Sequence, residues 1–556
     1  MKHEKLSSAQ AIVASLVDHG VDCVFGIPGA HTYELIDAIY ARRDRLRFIV
    51  TRHEQGAAYM AYGYAMSTGG IGVYTCVPGP GLLNTTAALC TAYAGGARVL
   101  CLTSEIPAAE IGRGHGILHE LPDQLNTVRL LTKAALRINH PTEASSVMAD
   151  AFYRLRSGRP GPVVVECPWD TLGERAFVEV VGPREPAQTP AADPQAAQRA
   201  AELIAQARRP MIMVGGGAFG AQREIQELSQ LLQAPVVAHR SGRGILADDA
   251  PLALTCGSGF RPWLESDLLV AIGTRMELQY LRWRTIPEGL RIVRIDIDPL
   301  EMSRRPATVG LVTDAAAGAR ALIDALRPLV GHRPSRADEF IALKARARKE
   351  FETVRPQVGY LDAIREALPR DGFLVEEISQ MGFTARFAFP VYTPRTYVSS
   401  GYQDNLGFGF MTALGVKVAN PGKVVISING DGGFLFGVQE LATAAQHGIG
   451  VIALVFNNRS FGNVLRDQKT RFGGHVIGAE LQNPDFVKLA QSFGISATRA
   501  AGETELSAAL GRAIAAGGPA LIEIPGEPGG ETSPWTFLHP AAPVGASNER
   551  APRRAP

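Results

Sequence analysis

The sequence predicts an α/β protein built from three doubly wound parallel-sheet domains. Its 556 residues far exceed the ~150 of a typical domain. Helix-periodic stretches alternate with short apolar runs along the chain, the pattern of parallel strands covered by helices on both faces. The alternation also stops and restarts twice, which divides the chain into blocks of domain size.

The first block, residues 1–175, sets helical patterns at 9–19, 33–40 and 56–67 against apolar runs at 23–25, 48–50, 71–76 and 99–103, and closes on the run 163–168. Such runs stay apolar throughout because a parallel strand is covered on both sides. A Pro- and Ala-rich stretch at 182–194 reads as a linker. In the second block, 190–330, a strand at 211–214 leads through a glycine turn to a helix at 222–232 and a strand at 235–238, then to runs at 268–272 and 292–297. A charged helical connector around 344–350 precedes the third block, 350–530. That block has strands at 424–428, 451–456 and 520–524 and a helix at 438–447. The tail, 531–556, is rich in Pro, Gly and Ala and is expected to be irregular, with residues 535–538 able to fold back onto the body.

Apolar residues make up 46% and charged residues 20%, which excludes long disorder. Lysine plus arginine number 56 against 54 acids, so no broad field attracts nucleic acid or an anionic membrane. Partners are expected to be small molecules or copies of the same chain. Cys23, Cys76, Cys90, Cys101, Cys167 and Cys256 form no C-x-x-C pair. That usage fits reduced, buried thiols in the cytoplasm rather than a disulfide frame. The N-terminal segment lacks the apolar core of a signal peptide and no run of ~18 apolar residues occurs, so neither export nor membrane spanning is expected.

The chemistry concentrates in the third block. Gly430-Asp431-Gly432-Gly433 ends one strand, and Asn457-Asn458 ends the next after an intervening helix. A βαβ unit places both at the carboxyl edge of the sheet, where open α/β sheets bind ligands. One carboxylate and one amide oxygen suit Mg²⁺, which completes its shell with phosphate oxygens and water. The glycines let the backbone approach phosphates at a helix start. On the competing reading, the glycines are a plain turn and the asparagines a polar strand end. In the second block, residues 215–220 match G-x-G-x-x-G, yet the next strand, 235–239, ends without the acid a dinucleotide site wants, so this turn reads as a structural link.

The segment GDGGFLFGVQELATAAQHGIGVIALVFNN resembles the thiamine diphosphate signature of the acetolactate synthase and benzoylformate decarboxylase group. The likeness continues in GIPGAHTYELIDA, TRHEQGAAYMAYGYA and PGPGLLNTTAAL of the first block, VGGGAFG and RIDIDP of the second, and SSGYQDNLGFGFMTALG of the third. The resemblance implies a pyrimidine-binding, a central and a diphosphate-binding domain, with thiamine diphosphate and Mg²⁺ as cofactors. It implies that Glu54 contacts N1′ of the aminopyrimidine, favouring the imino tautomer whose nitrogen takes the thiazolium C2 proton. Leu406 would hold the two cofactor rings in a bent V. The carbonyl of Asp404, where many relatives have glycine, would receive the 4′-amino group. Asp431, Asn458 and the main-chain oxygen of Ser460 would bind the metal.

On the substrate side, His119 matches a glutamine that approaches the reacting carbonyl, with His31 and His115 expected beside the same cleft and suited to proton transfer near neutral pH. Gly273-Thr274-Arg275 and Asp296-Ile297-Asp298 resemble places where acetolactate synthases hold FAD. The tryptophan these synthases carry after the asparagines is replaced near Asp467, which implies a larger or more polar acyl group. The function expected from the resemblance is a C–C lyase or carboligase of a 2-oxo acid, working as a dimer or tetramer with sites at the subunit interface. The alternatives are a C–C hydrolase of a 1,2-diketone, a non-catalytic cofactor-binding relative and, more remotely, a flavin or nicotinamide oxidoreductase.

Overall fold

A computed structural model describes residues 3–541 and contains three six-stranded sheets, each parallel throughout. The first runs Arg47–Val50, Cys23–Gly26, Gly72–Cys76, Val99–Glu105, Val163–Pro168, Ala134–Arg137 across its width. The third runs Tyr397–Val398, Phe373–Glu376, Val425–Gly430, Val451–Asn457, Ala520–Pro525, Ser496–Arg499. Numbered by appearance, both follow the order 2-1-3-4-6-5, so the outer domains share one topology. The middle sheet, Ala253–Thr255, Val236–Ala238, Pro210–Val214, Leu268–Ile272, Arg291–Asp296, Val309–Val312, has the order 3-2-1-4-5-6. In that order the direction of winding reverses between the first and fourth strands, which opens a crevice at their carboxyl ends.

The central strands are the ones the apolar runs predict, because Val163, Val164 and Val165, and likewise Val425 and Ile426, are buried on both faces. Ala134–Arg137, Ala253–Thr255, Val309–Val312, Phe373–Glu376, Tyr397–Val398 and Ser496–Arg499 were not expected. Four of them lie at or next to a sheet edge with mixed burial, so their side chains need not be uniformly apolar. The expected helix at 438–447 is a 3-10 turn, Val438–Glu440, followed by the helix Leu441–His447. The stretch before Asp193 is irregular, and Asp193 then caps the helix Pro194–Ala205 by accepting from the Gln195 N–H. In the tail, Trp535–Leu538 forms a helical turn whose Trp535 packs on Phe383 and whose Phe537 packs on Phe351 and Phe387. The remainder of the tail, 542–556, lies outside the described residues.

The outer domains meet along the helices Glu54–Thr68 and Gly409–Ala419. A Cβ on Gly63 would stand 2.2 Å from the Thr412 carbonyl oxygen, and one on Gly415 would stand 1.9 Å from that of Met60. Only glycine permits so close an approach. Tyr59, Tyr62, Phe408 and Met411 fill one core across this seam. No helix among the described residues is long and apolar enough to cross a membrane.

Candidate functional site

The strand Val425–Gly430 pairs with Val451–Asn457 so that Gly430 stands opposite Phe456. This register delivers Asp431 and Asn458 to the same carboxyl edge. Asp431 is 2% exposed; one carboxylate oxygen accepts from the Gly432 N–H at 2.9 Å and the other from Asn483 Nδ2 at 2.7 Å. Burial pushes its carboxyl above the usual aspartate range, against these donors. Arg459, at φ 56°, turns the chain back so that Asn458 Oδ1 accepts from the Ser460 N–H and hydroxyl at 3.0 and 2.9 Å. Asn458 Nδ2 donates to Glu531 Oε1 at 2.6 Å, which brings an unforeseen tail carboxylate to the site.

Asp404, Leu406, Gly430, Asp431, Gly432, Gly433, Asn458 and Ser460 line one cavity of about 570 Å³, within the range of small-molecule sites. The glycine turn cannot carry side chains: a Cβ on Gly432 would meet Phe461 at 2.4 Å, and one on Gly433 would meet Glu377 at 2.5 Å. The turn therefore presents bare backbone to the cavity. A carboxylate, an amide oxygen and a main-chain oxygen form a hard-donor set that fits Mg²⁺ with diphosphate oxygens completing its shell.

Asp404 has φ 44°, in the left-handed region that glycine enters freely and aspartate tolerates. Its carboxylate is clamped by Arg386 (2.6 and 3.2 Å) and Arg240 (3.0 Å), with Arg282 at 3.7 Å. Burial opposes ionisation, but Arg386 and then Arg240 hold the Asp404 carboxyl below its ordinary value. Glu277 and Glu376 complete the cage by pairing with Arg240 and Arg386.

Glu54 opens the helix Glu54–Thr68, whose N-cap His53 accepts from the Gln55 N–H. The preceding turn is docked on Glu440 of the third domain, which accepts from the His53 and Arg52 N–H groups at 2.9 and 3.1 Å. Glu54 Oε2 accepts from Asn84 at 3.0 Å. The structure does not bring Glu54 to the Asp431 cavity, every lining residue of which falls between 356 and 531.

His31 and His119 do come together, with ring centroids 5.3 Å apart, and Trp169 stacks on His31 at 5.3 Å. Both histidines adopt left-handed backbone, φ 73° and 69°, a conformation that costs energy and concentrates at functional sites. Both Nδ1 atoms are buried without a partner. Burial, then the charge of His119, lowers the His31 pKa. The His119 carbonyl lies where a Cβ on Gly79 would come within 2.4 Å, and a Cβ on Gly81 would stand 3.5 Å from Glu54, so one turn joins this pair to Glu54. His115 does not join them: its side chain is 56% exposed and its Nδ1 is 2.7 Å from Glu110. Sequence reasoning missed Gln124, which bonds Gly79 at 2.8 Å and Glu166 at 3.0 Å and so fixes that turn.

A second cavity, about 200 Å³, opens at the crevice of the middle sheet. Gly215, Gly216 and Gly217 line it together with Thr274, Arg275 and Asp296. The glycine turn packs tightly as well, since a Cβ on Gly215 would lie 2.4 Å from the Gly273 carbonyl oxygen.

Three family models match the chain: the N-terminal TPP binding domain of thiamine pyrophosphate enzymes at residues 6–127, their central domain at 197–322, and their C-terminal TPP binding domain at 377–524. Similar proteins include the probable 2-ketoarginine decarboxylase AruI of Pseudomonas aeruginosa, 33% identical over 93% of this chain and 94% of that protein. The probable acetolactate synthase large subunit of Methanocaldococcus jannaschii is 32% identical over 93% and 92%. The acetolactate synthase isozyme 1 large subunit of Escherichia coli is 28% identical over 98% and 97%.

Proposed function

The chain belongs to the thiamine pyrophosphate enzyme family, and from that premise we propose that it cleaves the bond between the carbonyl carbon and the carboxylate of a 2-oxo acid. CO₂ leaves, and the acyl carbon, which keeps the electron pair, then takes a proton, as in a decarboxylase, or attacks a second carbonyl, as in a carboligase. The observation that carries this is the gathering of Asp431, Asn458, Ser460, Asp404 and Leu406 around one cavity floored by the bare glycine turn.

Thiamine diphosphate, when bound, would supply an electron sink for the carbonyl carbon. Asp431, Asn458 and the Ser460 main chain would hold Mg²⁺, which would neutralise the charge of a diphosphate. Leu406 and the Asp404 carbonyl, which line the cavity, would hold the cofactor's rings and its amino group. Glu54 holds a proton at, or hydrogen-bonds to, the aminopyrimidine. His119, with His31 against it, moves a proton at the substrate carbonyl.

Because Glu54 stands apart from the cavity of its own chain, the complete site is one between subunits of a dimer or tetramer. Exposed apolar side chains support this on both halves: Leu83, Leu118 and Trp169 next to Asn84, His119 and His31, and Phe436 and Val464 at the Gly407 turn and the cavity wall. The unpaired thiols support a cytoplasmic setting. The resemblance of Gly273-Thr274-Arg275 and Asp296-Ile297-Asp298 to FAD-holding segments supports FAD at the central crevice, where Arg275 and Asp296 would hold it without a redox role. Flavin absorbance retained through gel filtration tests it.

The main test is a panel of 2-oxo acids with small, large and cationic side chains, together with a 1,2-diketone, assayed for CO₂ and for products with thiamine diphosphate and Mg²⁺. CO₂ release from at least one 2-oxo acid is expected. Cleavage of the diketone alone, without CO₂, would replace the proposal with a C–C hydrolase.

A further inference from the structure

Glu377 follows the strand Phe373–Glu376, is 1% exposed and lies behind the wall of the thiamine diphosphate cavity. Its neighbour Glu376 is paired with Arg386. Glu377, among the described residues, has no lysine or arginine within ion-pair distance. What it has instead is backbone. The Gly407 N–H donates to Oε1 at 2.5 Å, and the N–H groups of Phe408, Gly409 and Gly430 are directed at the carboxylate. A Cβ on Gly433 would stand 2.5 Å from Oε2. One carboxylate thus touches both the turn that carries Asp404 and Leu406 and the turn that carries Asp431.

An acid buried without a cation is costly, and this cost is not recovered by packing. Burial raises the Glu377 carboxyl to about 8 in spite of the four donors. Local features that cost stability in this way belong to functional sites. We propose that Glu377 is a positioning residue whose side chain fixes the spacing between the Leu406 turn and the Asp431 turn, and so the width of the cofactor cradle. The proposal rests on thiamine diphosphate occupying this cavity.

Two variants separate reach from charge. Glu377→Asp keeps the carboxylate but is one methylene too short to touch both turns. Glu377→Gln keeps the length and an acceptor for Gly407, and its amide NH₂ can occupy the Oε2 position, which accepts no hydrogen bond. Thiamine diphosphate affinity is measured by calorimetry with saturating Mg²⁺, and amide hydrogen exchange is followed in the cofactor-free proteins. Glu377→Asp is expected to bind roughly 10-fold or more weakly, the scale of losing a buried hydrogen bond. Its exchange should rise in both 401–409 and 430–434. Glu377→Gln should stay within about 3-fold of the parent and restore protection in both turns.

Parent-like affinity in Glu377→Asp, even with a lowered melting temperature, would overturn the proposal and make Glu377 merely structural. Equal losses in both variants, or faster exchange in one turn only, would also overturn it. A parent protein that takes up no thiamine diphosphate would instead overturn the cavity assignment, and this proposal with it.

Discussion

Asp404→Asn removes one negative charge from a buried cage and leaves its size unchanged. In the parent, Arg240, Arg282 and Arg386 are balanced by Asp404, Glu277 and Glu376, and the first two partners of Asp404 are 1% and 3% exposed at their side chains. Withdrawing the acid leaves an uncompensated guanidinium out of water, an error that costs about 3–5 kcal/mol when one partner of a buried pair is deleted. Asparagine still offers one oxygen to Arg386, so the lower end, about 3 kcal/mol, is expected. For a domain of this size that lowers the melting temperature by roughly 6–12 °C.

The pH dependence has a definite sign. Arg386 and Arg240 outweigh burial and depress the Asp404 carboxyl, so the unfolded chain binds the proton first. Its stabilisation is complete above about pH 4 and disappears as pH falls through the depressed value. Scanning calorimetry at about pH 7 and urea unfolding down to about pH 3.5, both on cofactor-free protein, should show a parent–variant gap that narrows on acidification. An Asp404→Asn protein as stable as the parent, or a gap that widens in acid, would refute the cage argument.

His119→Gln should leave exchange of the cofactor's C2 proton normal while turnover falls by roughly 10²-fold; a stable, fully active variant would remove His119 from the mechanism. The same substitution deletes one of the two influences that lower the His31 pKa, so His31 should titrate at higher pH, which a proton-resonance titration would detect or exclude. Mixing Glu54→Ala chains with Asp431→Ala chains should restore part of the activity neither has alone, and proven mixed oligomers without recovery would contradict a site shared between subunits.

The edge that carries Asp431 and Asn458 was legible because its signals are local. Continuous apolar strands flank a glycine turn whose close approaches to Phe461 and Glu377 tolerate nothing larger. The cage and the cradle were not legible. Arg240 lies 164 positions from Asp404 and Glu377 lies 30 from Gly407, and no periodicity links residues that meet only after the sheets have formed. Glu531 was hidden for the same reason, 73 positions beyond Asn458 in a tail whose composition reads as irregular. His31 and His119 could be nominated from sequence, but their separation from His115 depends on the loop that ties His115 to Glu110.

The most direct test of the central claim is C2 proton exchange of thiamine diphosphate in the parent, Glu54→Ala and Asp431→Ala proteins, each with Mg²⁺ and after chelator treatment. The parent with Mg²⁺ should retain the cofactor and exchange rapidly. Glu54→Ala should retain it but exchange orders of magnitude more slowly, and Asp431→Ala or chelated protein should retain none. Cofactor retained without metal or without Asp431, or exchange in Glu54→Ala as fast as in the parent, would contradict the account.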